Sequence, residues 1–126
     1  MIRHLLALPL LLAAAPAAAT AGWSCRATAP VGVTLDIVAG TGSPGGLVGA
    51  TLRDGAVRRS TFDGGLRIGQ SWIDEHSLLL DLLDGAGGER VARLRVTVRG
   101  ELGRRAPAGS LEYGGRIHRI ACVPEG

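Results

Sequence analysis

The chain has 126 residues, 14 basic and 11 acidic, and every basic side chain other than His is Arg. A formal charge of +3 is too small a surplus to argue for nucleic-acid binding, and with no Lys there is no Walker phosphate loop. This length suits a single domain with a modest core.

The N-terminus opens with the charged stretch Met1-Ile2-Arg3-His4, continues through an apolar run over residues 5–15, and exits through Ala19-Thr20-Ala21 before Gly22. A basic start, an apolar centre and an A-x-A exit form the pattern of a secretory signal peptide. The apolar run is too short to cross a bilayer, which takes about 20 residues. Cleavage is expected after Ala21, with Ala19 as the alternative. A lipid-modified Cys25 is disfavoured because bulky Trp23 stands two positions before it. The reading is therefore a leader over residues 1–21 and one exported domain over residues 22–126, periplasmic or secreted, with no transmembrane segment.

That domain holds two cysteines, Cys25 and Cys122, one near each end. In an oxidising compartment such a pair is expected to form a disulfide joining the first and last strands. A zinc site built with His118 would be one ligand short of closed coordination.

Apolar residues then recur at every second position between Gly-rich breaks, the signature of strands and turns. Residues 23–28 form a first strand and 31–39 a second, with Val33, Leu35 and Ile37 on one face. Residues 47–53 and 56–62 flank Asp54-Gly55, a two-residue hairpin signal. Pairing across that turn sets Ala50 opposite Arg59, so a bulge is expected near Arg58-Arg59. Leu66, Ile68, Gln70 and Trp72 are expected to share a face. The Leu-rich run 77–83 is short enough for a strand and is closed by Asp84-Gly85. In the strand over 90–99, Ala92, Leu94, Val96 and Val98 face inward, and Arg93, Arg95, Thr97 and Arg99 face solvent. A last hairpin turns at Gly114-Gly115 and places Leu111, His118, Ile120 and Cys122 inside, with Glu112 diagonal to Arg119 as a surface ion pair. The fold class is all-β: a small antiparallel, meander-rich sandwich or barrel of about eight strands, its termini joined by a disulfide.

Few motifs carry chemistry. Residues 40–45 match G-x-G-x-x-G, but the segment that follows is β-patterned, and a dinucleotide fingerprint needs a helix there. Asp74, Glu75 and His76 are adjacent, and adjacent side chains in a turn serve more readily as solvated polar groups than as a metal or acid–base site. No serine sits in a nucleophile elbow, and a bridged Cys pair leaves no thiol nucleophile. The most suggestive surface is the row Arg93, Arg95 and Arg99, followed by Arg104 and Arg105, since neighbouring guanidiniums hold phosphate or carboxylate groups. Stacking aromatics are scarce, which disfavours single-stranded nucleic acid.

The sequence therefore leads to an exported, non-catalytic domain of the bacterial envelope that binds a macromolecular or anionic surface partner, with no cofactor and no metal. Two alternatives stand beside it. One is a small hydrolase or metal-dependent enzyme using the Asp74-Glu75-His76 turn or His118. The other is a structural or assembly subunit that pairs through a strand edge.

Overall fold

Each alternating run becomes a strand, and consecutive strands pair because the turns between them are short. The structure, a computed structural model, describes residues 21–28, 32–40, 46–74, 76–97 and 108–125. The strands are β1 (Ala21–Ala27), β2 (Val33–Ala39), β3 (Leu47–Asp54), β4 (Val57–Ser60), β5 (Leu66–Ile73), β6 (Ser77–Asp84), β7 (Arg90–Thr97), β8 (Ala108–Tyr113) and β9 (Arg116–Glu125). Among the described residues, no helix is long and apolar enough to cross a membrane. The expected leader lies outside them apart from Ala21.

All nine strands join one antiparallel sheet in the order β4-β3-β2-β1-β9-β8-β7-β6-β5. Every neighbour is a sequence neighbour except β1 and β9, whose pairing joins two meanders, β1–β4 and β5–β9, into one nearly closed barrel. Cys25 and Cys122 are direct cross-strand partners in that ladder, and their disulfide is fully buried. The inward face of each strand supplies the core: Leu35 and Ile37 of β2, Leu52 of β3, Leu80 and Leu82 of β6, Leu94 of β7, Leu111 of β8 and Ile120 of β9 are all essentially inaccessible. β7 and the β8–β9 hairpin follow the expected phase, with Tyr113 opposite Arg116, Leu111 opposite His118, and Ile117 left outside.

Direction matters for closure. Eight antiparallel ladders separate β4 from β5, so these two edge strands run the same way and cannot pair as the others do. The seam falls between them, and it is bridged piecemeal. On the β4 side the β3–β4 pairing runs one residue past Ser60, where the Thr61 N–H donates to the Ala50 carbonyl and Thr61 Oγ1 accepts from the Ala50 N–H, both at 3.0 Å. Arg59 donates to Asp84 Oδ2 at 3.0 Å and to the Gly65 carbonyl at 3.3 Å. Phe62 lies over Gly49, where a Cβ would collide with its ring. Across the barrel end, the Tyr113 hydroxyl donates to Asp54 Oδ2 at 3.1 Å, linking β8 to β3. Burial and the Asp54 carboxylate both push the Tyr113 pKa up.

Two expectations are corrected. The β3–β4 turn lies one residue later than expected, at Gly55-Ala56, so Leu52 rather than Ala50 faces Arg59. The ladder then runs regularly from Asp54–Val57 to Thr51–Ser60, and the bulge expected at Arg58-Arg59 is absent. Gly55 takes a positive φ of 57°, open to glycine without a steric penalty, and this fixes the turn. A bulge occurs instead in β5, where Gly69 and Gln70 together oppose Asp81. It reverses the alternation, so Leu66 and Ile68 point inward while Trp72 points outward and is 59% exposed.

The disulfide makes a checkable contribution. Replacing both Cys25 and Cys122 by Ser is expected to lower unfolding free energy by about 2–4 kcal/mol, read as a lower urea midpoint with the all-β circular dichroism retained.

Candidate functional site

Once the register is fixed, the outer wall of the barrel reads as rows of side chains running across the strands. One row contains Asp81, Arg93, Glu112 and Ile117, on β6, β7, β8 and β9. The next contains Trp72, Leu79, Arg95, Ser110 and Arg119, on β5 through β9. Arg93 and Arg95 are thus two residues apart on one strand, each flanked by different chemistry.

Asp81 organises them. It interrupts an otherwise apolar strand, and its side chain is only 8% exposed because the two arginines and the β5 bulge cover it. Arg93 grips it bidentately, with Nε on Oδ1 at 3.1 Å and Nη2 on Oδ2 at 3.4 Å. Arg95 adds a third bond from Nη1 to Oδ1 at 3.1 Å, and the same Nη1 donates to the Leu94 carbonyl at 2.8 Å. Burial alone would raise the Asp81 pKa. The hydrogen bonds and charges of Arg93 and Arg95 outweigh it and hold the carboxyl below its ordinary value. In return, the bond to Asp81 raises the Arg93 pKa, and Glu112 opposite adds to it.

This geometry separates two arginines that are equivalent in the sequence. Arg93 spends its Nε–Nη2 edge on Asp81 and lies between two carboxylates. Arg95 is held by Nη1 alone, lies between Leu79 and Ser110, and its Nε–Nη2 edge makes no hydrogen bond among the described residues. Gln70, Ser71, Trp72, Leu79 and Arg95 line a shallow depression of about 260 Å³ beside it. Arg99, Arg104 and Arg105 lie outside the described residues. Glu112 forms no ion pair with Arg119 among the described residues; its direct cross-strand partner is Arg93.

The other candidates have structural occupations. Asp74 closes the β5–β6 turn: Oδ1 accepts the N–H groups of His76 and Ser77, and Oδ2 accepts Trp72 Nε1, all at 2.7 Å. The Trp72 bond is the largest cause holding the Asp74 pKa below its ordinary value, followed by the His76 N–H. His76 is exposed, and Glu75 lies outside the described residues. His118 is half-buried, with Nε2 3.3 Å from the Tyr113 carbonyl. Residues 41–45 of the glycine-rich stretch are also outside the described residues, and the element after them is strand β3. Among the described residues, no three His, Cys, Asp or Glu side chains gather in a metal-ligating group.

No protein-family model matches the chain, and neither the curated proteins nor the solved structures contain a significant match to it. The site therefore stands on its own geometry.

Sequence reasoning missed Asp81 and Trp72. Asp81 was legible in principle as a lone acid inside a Leu-rich strand, but its partners depend on the β6–β7 register. Trp72 does not share the face of Leu66 and Ile68, because the bulge at Gly69-Gln70, which the sequence signals only by a single glycine, inverts the alternation after it.

The Asp81 cluster has a pH signature. A carboxyl with a depressed folded pKa stabilises above its unfolded pKa of about 3.9, and that contribution is lost as pH falls through the folded value. Stability should therefore drop on acidification below about pH 4, and Asp81→Asn should flatten this dependence in thermal melts, with the residue left to Asp74 and Asp84. Removing both arginines, in Arg93→Gln/Arg95→Gln, takes away the partners of Asp81 while opening it to water, and is expected to cost about 1 kcal/mol in a urea titration at neutral pH.

Proposed function

We propose that the protein is an exported, non-catalytic domain of the cell envelope that binds an anionic partner through the outer face of β6, β7 and β8. The observation that carries this reading is the fastening of Arg93 and Arg95 side by side on one buried carboxylate, Asp81. Two long cationic side chains held in place lose less rotamer freedom on binding than free ones. Asp81 cancels only one of the two charges, and both guanidiniums remain about one-third exposed. A barrel with its ends stapled suits an oxidising compartment outside the cytosol, and the N-terminal leader pattern supports the same destination. Arg99, Arg104 and Arg105, which the sequence adds to this basic row, lie outside the described residues.

A second reading has one observation of its own. Among the described residues, no backbone hydrogen bond joins β5 to β3 or β4, so the seam leaves a strand edge that can accept an extended segment from an assembly partner. The bulge in β5 weighs against it, since bulges blunt edges.

The test of the first reading is retention of the purified, disulfide-bonded protein on anionic envelope preparations. The native protein should be retained at low salt and released at high salt. The triple variant Arg93→Gln/Arg95→Gln/Arg99→Gln should lose retention while remaining folded by circular dichroism. Salt-insensitive retention that the variant keeps would overturn the reading.

A further inference from the structure

We propose that the partner is an acidic polysaccharide, laid across the strands with one sugar ring on Trp72 and a uronate carboxylate on the Nε–Nη2 edge of Arg95. This deepens the anionic-partner reading and rests on it. Three observations carry it.

The first is the difference between the arginines. A planar carboxylate is recognised by two parallel N–H donors on one edge of a guanidinium. Arg93 has that edge occupied by Asp81, whereas Arg95 presents it with no partner among the described residues. Asp81 and the Leu94 carbonyl fix the Arg95 head by its other nitrogen, so the edge is oriented before a ligand arrives.

The second is Trp72. A large aromatic 59% exposed on the wall of a small barrel is not explained by the core. Its ring is not loose, because Nε1 is tied to Asp74 Oδ2 at 2.7 Å, and Asp74 is itself fixed by two backbone N–H groups. The result is an oriented apolar platform whose polar handle is already satisfied. Such a surface suits the C–H face of a pyranose and has nothing to offer an isolated phosphate.

The third is placement. The β5 bulge brings Trp72 into register with Leu79 and Arg95, and continues the row to Arg119, which is exposed. Adjacent strands lie about 4.8 Å apart, so the aromatic and the two guanidiniums recur at intervals of about 10 Å along this row. Leu79 and Ser110 occupy the intervening strands and bring no charge. Gln70, which lines the depression, adds a polar group suited to sugar hydroxyls. An aromatic platform followed by regularly spaced cations matches a linear polymer of acidic sugars, with a ring to stack and carboxylates in series. An exposed indole also suits a lipid interface, so the choice of a uronate rests on the paired-donor edge of Arg95 and the regular spacing of the row.

The probe is a short oligogalacturonate, titrated calorimetrically into the disulfide-bonded protein, with a neutral oligoglucoside of equal length and phosphatidylglycerol vesicles as comparison arms. The Trp23→Phe background makes Trp72 the sole fluorescent reporter. Oligogalacturonate should bind, shift Trp72 emission, and weaken with salt, while the neutral oligomer binds at least roughly tenfold more weakly. Trp72→Ala and Arg95→Lys should each weaken binding roughly tenfold, the Lys variant because it keeps the charge but loses the paired donors. Arg58→Gln, on β4 away from this row, should change affinity by less than about threefold although it removes the same charge. Melting curves of each variant confirm that the barrel is intact, and the exposed Trp72 position keeps the test open if an Arg95 variant unfolds. The inference is overturned if oligogalacturonate does not bind, if Trp72→Ala leaves affinity unchanged, or if Arg58→Gln weakens it as much as Arg95→Lys. Arg95-dependent binding to vesicles without binding to oligogalacturonate would overturn the sugar assignment and leave the anionic-face reading standing. Binding to neither anion would remove both.

Discussion

The pairing of β1 with β9 is the constraint on which the barrel depends. Without it the chain is two separate meanders, β1–β4 and β5–β9, because β4 and β5 share no ladder, and the inward face of each half has nothing to close against. With it, the first and last strands become interior neighbours, and one apolar face per strand is enough to fill the core. The Cys25–Cys122 bridge sits inside this ladder, between residues directly opposite each other, and closes a loop of sequence separation 97. It restrains the contact that is most distant in sequence, which is where loop-closure entropy opposes folding most.

Closing the ring at β1 and β9 displaces a mismatch elsewhere. With an odd number of strands the directions cannot alternate all the way round, so one junction must be parallel, and β4 against β5 is that junction. The chain handles it with a four-residue edge strand, a tight polar turn and side-chain bridges in place of a ladder. Thr51 and Ser60, buried in the β3–β4 pair, bond each other at 3.0 Å, and no described buried side-chain polar atom is left without a partner. The polar seam and the apolar core are thus complementary: the ladder closes with a covalent bond at one junction and with hydrogen bonds at the other.

The proposed binding face lies on the outside of this scaffold. Asp81 points away from the core in a strand that is otherwise apolar, and burying a carboxylate on a sheet wall is unfavourable unless cations meet it. Arg93 satisfies that requirement with both of its side-on donors. Arg95 contributes one nitrogen, and its Nε–Nη2 edge makes no hydrogen bond among the described residues. A structural ion pair and the proposed binding group therefore sit on two similar residues of one strand, distinguished by their neighbours on β6 and β8 rather than by their own chemistry.

Period-two hydrophobicity was legible residue by residue, and so were the all-β class, the bridge between the ends, the final hairpin and the inward phase of β7, because each depends on local pattern or on a pairing with a single solution. The turn after Asp54 and the face of Trp72 were not, since a shift of one residue inverts a strand and only contacts with the neighbouring strand decide it. The Asp81–Arg93–Arg95 cluster was half visible: the arginines were, their shared acid was not. By itself the sequence determined which residues alternate and which two cysteines must meet. Only the tertiary structure decided barrel over sandwich, where the seam falls, and which arginine keeps a donor edge, because these depend on register and strand direction, which are properties of several strands together.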